Sequence, residues 1–126
     1  MRERINRLRN LFDDAGIDGL LVTGSTNRRY MTGFTGSAGM ALITREEALF
    51  MTDFRYVEQA TQQAPDYTLV RYDEPYKTLH ERLASYSGRR IGFESQHVTV
   101  DQLDGIQNPI GVDAARVEWV PVKGLV

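Results

Sequence analysis

Met40-Ala41-Leu42-Ile43-Thr44-Arg45-Glu46-Glu47-Ala48-Leu49-Phe50-Met51-Thr52 sets two apolar runs either side of three charged residues. Runs of this length read as strands, and so short a connection returns the chain as an antiparallel hairpin. The segments on either side alternate between two periodicities, and that alternation makes the hairpin the centre of a mixed sheet.

Toward the N-terminus, Gly19-Leu20-Leu21-Val22-Thr23 is a short apolar run consistent with a strand buried on both faces. Before it, Ile5, Leu8, Leu11, Phe12 and Ala15 recur at three or four residues, which predicts one helical face ending at Gly16. Gly24-Ser25-Thr26-Asn27 reads as a turn whose hydroxyls cap a short helix through Tyr30. Beyond the hairpin, Asp53 stands where a helix cap belongs. The helix that follows carries Tyr56, Val57 and Ala60 toward the core and stops at Ala64-Pro65.

Tyr67 to Tyr72 is a further strand, and Pro75 suits the first turn of a helix presenting Tyr76, Leu79, Leu83 and Tyr86. Arg90 to Glu94 is a short strand. Thr99-Val100-Asp101-Gln102 matches a capping box, and Leu103 and Ile106 follow it. Arg116 to Val122 is the last strand, with Pro121 restricting it to a sheet edge. The expected architecture is therefore α/β: a single three-layer domain over residues 1–126, with a mixed sheet of about six strands and helices on both faces.

Composition removes several function classes. Fifteen Lys and Arg against seventeen Asp and Glu leave a formal charge of −2, so there is no broad basic face for nucleic acid or membrane. Arg2, Arg4, Arg7 and Arg9 share their segment with Glu3, Asp13 and Asp14 and read as a solvated helix face. Without cysteine there is no disulfide, zinc-thiolate site or thiol nucleophile. No apolar run approaches the ~18 residues of a membrane span, and the basic start lacks an apolar signal segment. A cytoplasmic location is expected.

Chemistry-bearing residues are sparse. The chain has two histidines. His80 reads as boundary packing or solvent-exposed on a helix, and His97 as a loop residue hydrogen-bonded to backbone. Asp13-Asp14, Glu46-Glu47 and Asp101 with Asp104 lie near helix ends and turns, where carboxylates cap or oppose the helix dipole. No metal-ligand spacing of the H-E-x-x-H kind occurs. The unusual segment is Tyr30-Met31-Thr32-Gly33-Phe34-Thr35-Gly36-Ser37-Ala38-Gly39. Its glycines permit close backbone approach, but it lacks a Walker Gly-Lys-Ser/Thr and leads into a strand, whereas phosphate loops open a helix.

That segment resembles the corresponding run in N-terminal domains of the creatinase, prolidase and aminopeptidase P family. Thr52-Asp53-Phe54-Arg55-Tyr56 with Gln59-Ala60 is similar to a second family run, and the opening helix, Asp18 to Val22 and Asn27 agree in order. The resemblance covers essentially the whole chain. It implies an accessory and oligomerisation domain of a Xaa-Pro aminopeptidase or Xaa-Pro dipeptidase.

In such a parent, a C-terminal catalytic domain would carry two Asp, one His and two Glu. These hold two divalent metals, manganese or cobalt, that activate water. Those ligands have no match here, so the chain is expected to end before that domain and to hold no catalytic, metal or cofactor residue. The implied partners are the chain's own catalytic domain, a second copy in a homodimer, and proline-containing peptides.

The resemblance also implies that Tyr30, Phe34, Thr35, Gly36 and Ser37 form a substrate-rim or dimer-interface loop. Asp53, Arg55 and Tyr56 would be structural. Creatinase supplies an arginine from this region; Gly33 to Gly39 contains none, which favours a peptide over creatine. Two other readings compete: an interaction module that kept the fold without catalysis, and a small nucleotide-binding α/β domain. The gene sequence beyond Val126 separates enzyme from module.

Overall fold

A computed structural model describes Met1 to Val126. The hairpin forms from β2 (Met40–Thr44) and β3 (Ala48–Thr52), with Leu42 opposite Leu49. The Thr44 hydroxyl oxygen closes the turn by accepting from Glu46 N and Glu47 N at 3.3 and 3.0 Å. With β1 (Gly19–Val22), β4 (Thr68–Arg71), β5 (Arg90–Glu94) and β6 (Glu118–Val122) it makes a six-stranded sheet ordered β4-β3-β2-β1-β5-β6. β2 runs antiparallel to β1 and β3, and the other neighbouring pairs are parallel. Every strand except β2 therefore points its carboxyl end the same way.

Alternation along the strands divides the core in two. Leu20, Val22, Ala41, Ile43 and Phe50 face α1 (Arg2–Arg9), α2 (Phe12–Ala15), α3 (Ser25–Thr32) and α4 (Val57–Gln63), meeting Ile5, Leu8, Phe12 and Met31. Leu21, Leu42, Leu49, Met51 and Ile91 face α5 (Pro75–Leu83) and α6 (Val100–Gln107), meeting Leu79, Leu83 and Ile106. Each of the buried Val, Leu, Ile, Phe and Met side chains among them contributes roughly 1.5–3 kcal/mol. The expected three-layer α/β arrangement is what the structure shows.

Local signals act where the sequence places them. Pro75 occupies the start of α5, Thr99 and Gln102 form a reciprocal capping box, and Pro121 lies in the outermost strand. The first helix departs from expectation. Leu11 N reaches back three residues to Leu8 O at 2.9 Å, the tight turn that separates α1 from α2. The break turns Phe12 fully into the core and leaves Leu11 38% exposed, so the predicted five-residue face is two shorter ones. Gly16 ends α2 in the left-handed conformation.

The hydroxyls of Ser25 and Thr26 do not cap α3. Glu94, buried at the end of β5, instead ties down the backbone that leads into the helix. Its Oε1 accepts from Thr23 N and Gly24 N at 2.9 and 3.1 Å, and its Oε2 accepts from Asn27 Nδ2. A carboxylate beside a helix N-terminus also meets the positive dipole end, more than a neutral hydroxyl provides.

Candidate functional site at the glycine loop

The segment feeding β2 lies at the end of the sheet where the other strands finish, and three elements hold it. At its start, Gly33 ends α3 at φ 83°, and a Cβ there would stand 2.8 Å from Gln63 O. The Thr32 hydroxyl donates to Arg28 O at 2.7 Å and accepts from Phe34 N at 3.0 Å. Phe34 then enters the core at 1% exposure. Its ring centroid is 4.8 Å from that of Phe50 and 5.5 Å, edge-on, from that of Tyr56. Gly36 lies directly on the Phe34 ring, leaving no space for a side chain.

The second sequence motif clasps the first. Tyr56 Oη and Ser37 Oγ are 2.6 Å apart. Thr35 N donates to Gln63 Oε1 at 3.0 Å, and Thr35 Oγ1 accepts from Gln59 Nε2 and Gln63 Nε2, each at 3.1 Å. The Thr52 hydroxyl donates to Ala38 O at 2.6 Å. The two runs that resemble the family are thus halves of one hydrogen-bonded unit.

Asp53 caps the turn Phe54–Tyr56 through Arg55 N and takes the Arg55 guanidinium on both oxygens, at 3.1 and 2.8 Å. This pairing holds the Asp53 carboxyl below its ordinary range and raises Arg55. Arg55 also lies over the Tyr56 ring, 5.1 Å from its centroid. The Ser37 hydrogen bond depresses the Tyr56 phenol below its usual value.

Arg28 braces the loop from behind. It is 7% exposed, and its terminal nitrogens donate to Gly39 O and Gly36 O at 2.9 and 2.8 Å. Although the loop contains no arginine, a guanidinium therefore sits under it.

Several expectations are corrected. The Phe34 ring is sealed inside this domain, because the glycines let the backbone fold over it. Tyr56 is half-buried, its ring against Phe34 and its hydroxyl turned to Ser37 rather than inward. Tyr30 is exposed but stands apart from the loop tip, covered by the Arg4 guanidinium 4.1 Å from its ring centroid. Thr35 and Ser37 are exposed.

His80 is buried, neither at a boundary nor in solvent. Nε2 lies 2.6 Å from Ile106 O, and Nδ1 accepts from Ala115 N at 2.9 Å. A main-chain N–H can only donate, so Nδ1 is the acceptor and the ring proton sits on Nε2. The His97 ring packs over Gly24, where a Cβ would stand 2.9 Å from its Cγ. Sequence reasoning missed Arg28 and Glu94, whose partners lie elsewhere in the chain. The one available signal was a polar residue within an otherwise core-facing stretch.

No three His, Asp or Glu side chains come together as a metal site, and Ser37 is paired with a phenol rather than a base. The residues present do not fit a pair of divalent metals. The arrangement offers hydroxyls, amides and the Arg55 cation at a rigid loop surface, groups that bind and position.

The sequence profile described as Creatinase/Prolidase N-terminal domain matches residues 4–126. An uncharacterized peptidase, YqhT, from Bacillus subtilis is 45% identical over 97 residues, covering 76% of this chain and 28% of its own length. Aminopeptidase P1 from Arabidopsis thaliana is 54% identical over 76 residues, 59% of this chain and 12% of that protein. The chain thus spans well under half of the curated relatives it matches. Among solved structures, a Xaa-Pro dipeptidase from Bacillus anthracis superposes with a TM-score of 0.89 at 38% identity, covering 98% of this chain and 34% of that one. The N-terminal domain of the cytoplasmic peptidase PepQ from Mycobacterium tuberculosis gives 0.83 at 32% identity, covering 98% and 95%.

Proposed function

Because this chain belongs to the creatinase/prolidase N-terminal domain family, we propose that it serves as the accessory and oligomerisation domain of a cytoplasmic Xaa-Pro metallopeptidase. The parent hydrolyses peptide bonds involving proline, with manganese or cobalt held by a separate catalytic domain. In this reading the parent is a homodimer. The loop Gly33 to Gly39 forms part of the rim of a substrate pocket, to which Thr35 and Ser37 present hydroxyls and Phe34 serves as a buried anchor.

One observation carries the reading. The loop is glycine-rich, yet it is held from three sides, by Arg28, by Tyr56 and by Gln59 with Gln63. So much fixing of a surface segment fits a role in positioning, since binding groups work best on loops that a rigid scaffold holds.

The test uses the full-length protein encoded by the gene, loaded with manganese and assayed on Ala-Pro and Ala-Pro-Ala. Cleavage of the dipeptide alone assigns a dipeptidase, and release of alanine from the tripeptide an aminopeptidase. Thr35→Ala and Ser37→Ala should each lower kcat/KM about tenfold, a loss of one positioned hydrogen bond, with the dimer intact by light scattering. Unchanged kinetics in both variants would remove the loop from the pocket. Absence of any Xaa-Pro cleavage by the metal-loaded parent would overturn the enzymatic reading.

A further inference from the structure

We propose that a cleft beside the glycine loop, between Thr23, Arg28, Tyr72, Tyr76 and Gln102, binds a carboxylate carried on a small apolar body, such as an amino acid or the free end of a short peptide. The cleft encloses about 210 Å³. It opens where β1 and β4 finish and β2 begins, the end of an open α/β sheet at which ligands characteristically bind. It lies on the α5–α6 side of the loop and shares Ser37 with the rim proposed above, so the proposal is argued from Arg28 and Thr23, to which that reading gives no role.

Arg28 is a buried cation beside this cleft. Its terminal nitrogens are taken by Gly39 O and Gly36 O, but Nε is buried and has no partner. None of the chain's ion pairs includes it. Two carbonyls satisfy hydrogens without neutralising charge, and a buried cation lacking a counter-ion is costly. Burial accordingly lowers the Arg28 pKa. An anion in the adjacent cleft would compensate that cost.

Neutral donors line the same cleft. Thr23 Oγ1 is also buried without a partner. Gln102 places Oε1 on the Thr99 cap, which leaves its Nε2 hydrogens for the cleft. Burial raises the Tyr72 and Tyr76 phenols, so both remain O–H donors at neutral pH. No Asp or Glu lines the space. One positive charge among neutral donors matches a monoanion; a phosphate dianion would require a second cation or a free helix N-terminus. Met40, Pro75 and Ile106 supply an apolar wall for the body that bears the carboxylate.

Acetate and N-acetyl-L-alanine, titrated into the ¹⁵N-labelled chain at constant ionic strength, should produce saturable shifts at the Thr23, Gly39, Met40 and Tyr72 amides. Acetamide should produce none. Arg28→Met should weaken binding about ten- to a hundredfold, the loss of a charged hydrogen bond. Thr23→Val removes a hydroxyl that the fold leaves unpartnered, so it keeps the fold and should weaken binding severalfold. If Arg28→Met does not fold, Thr23→Val carries the comparison. The proposal is overturned by unsaturable or absent shifts, by an equal response to acetamide or inorganic phosphate, or by unchanged affinity in the variants that fold.

Discussion

The hydroxyls of Ser37 and Tyr56 meet at 2.6 Å across the two segments whose sequences carry the family resemblance. One belongs to the glycine loop and the other to the turn after β3, and the bond makes each segment part of the other's support. It also separates Tyr56 from the chain's more buried phenols. Ser37 stabilises the phenolate of Tyr56, whereas burial disfavours the phenolates of Tyr67, Tyr72, Tyr76 and Tyr86.

An alkaline titration followed by phenolate absorbance should therefore show Tyr56 ionising below the ordinary phenol value of about 10. Tyr56→Phe should delete that early component, and Ser37→Ala should move it upward. For the buried phenols the folded pKa lies above the unfolded one. Their stabilisation is complete below about pH 10 and falls away as pH rises through the folded values. Melting temperature should decline in that window, with Tyr67→Phe reducing the decline.

Phe34→Ala should destabilise the domain by roughly 3–5 kcal/mol, the usual cost of removing a buried aromatic, as read from urea unfolding. Tyr56→Ala should cost less, because its ring is half-exposed and its hydroxyl bond is at the surface. A near-neutral Phe34→Ala would mean that the ring leaves the core in solution.

Asp53 should titrate below the ordinary carboxylate value of about 3.9 when followed by NMR, because Arg55 holds its charged form. The folded pKa is depressed, so the stability that Asp53 contributes is fully present above the unfolded value of about 3.9 and lost as pH falls through the folded pKa. Asp53→Asn keeps a competent cap but loses the ion pair. Its melting temperature should lie below the parent's at neutral pH and converge with it in acid.

Glu94→Ala strands the N–H groups of Thr23 and Gly24 and the Asn27 amide. A loss of about 3 kcal/mol is expected, since buried unsatisfied donors cost about 1–3 kcal/mol each and some regain water. Hydrogen exchange should accelerate first at Thr23 and Gly24 and in the first turn of α3, which follows them.

The chain alone, supplied with manganese and Ala-Pro, should show no hydrolysis, because no three of its His, Asp and Glu side chains come together to hold a metal. Turnover by the purified chain would contradict this.

What could be read from sequence was what neighbours in sequence decide. The Arg45–Glu47 connection, Pro75 and the Thr99–Gln102 box each act within four residues, and each element formed where expected. Phe34 was harder, because a phenylalanine among glycines and hydroxyls carries no periodicity to say that it points inward. Glu94 and Arg28 lay further out of reach. The first holds backbone about 70 residues earlier in the chain, and the second meets loop carbonyls that any donor could have satisfied. Leu11 followed the helical period but lost its place to a single tightened turn.

Pro121 has a consequence for self-association. The Val122 carbonyl turns toward β5 and accepts from Ser95 N at 3.1 Å. By alternation, the main chain of Pro121 faces the open flank of β6. At the point where another molecule's strand would seek an N–H to begin a ladder, the ring offers none. The sheet therefore resists growth into a fibre along this flank, although β6 keeps its full register with β5 from Arg90–Glu118 to Glu94–Val122.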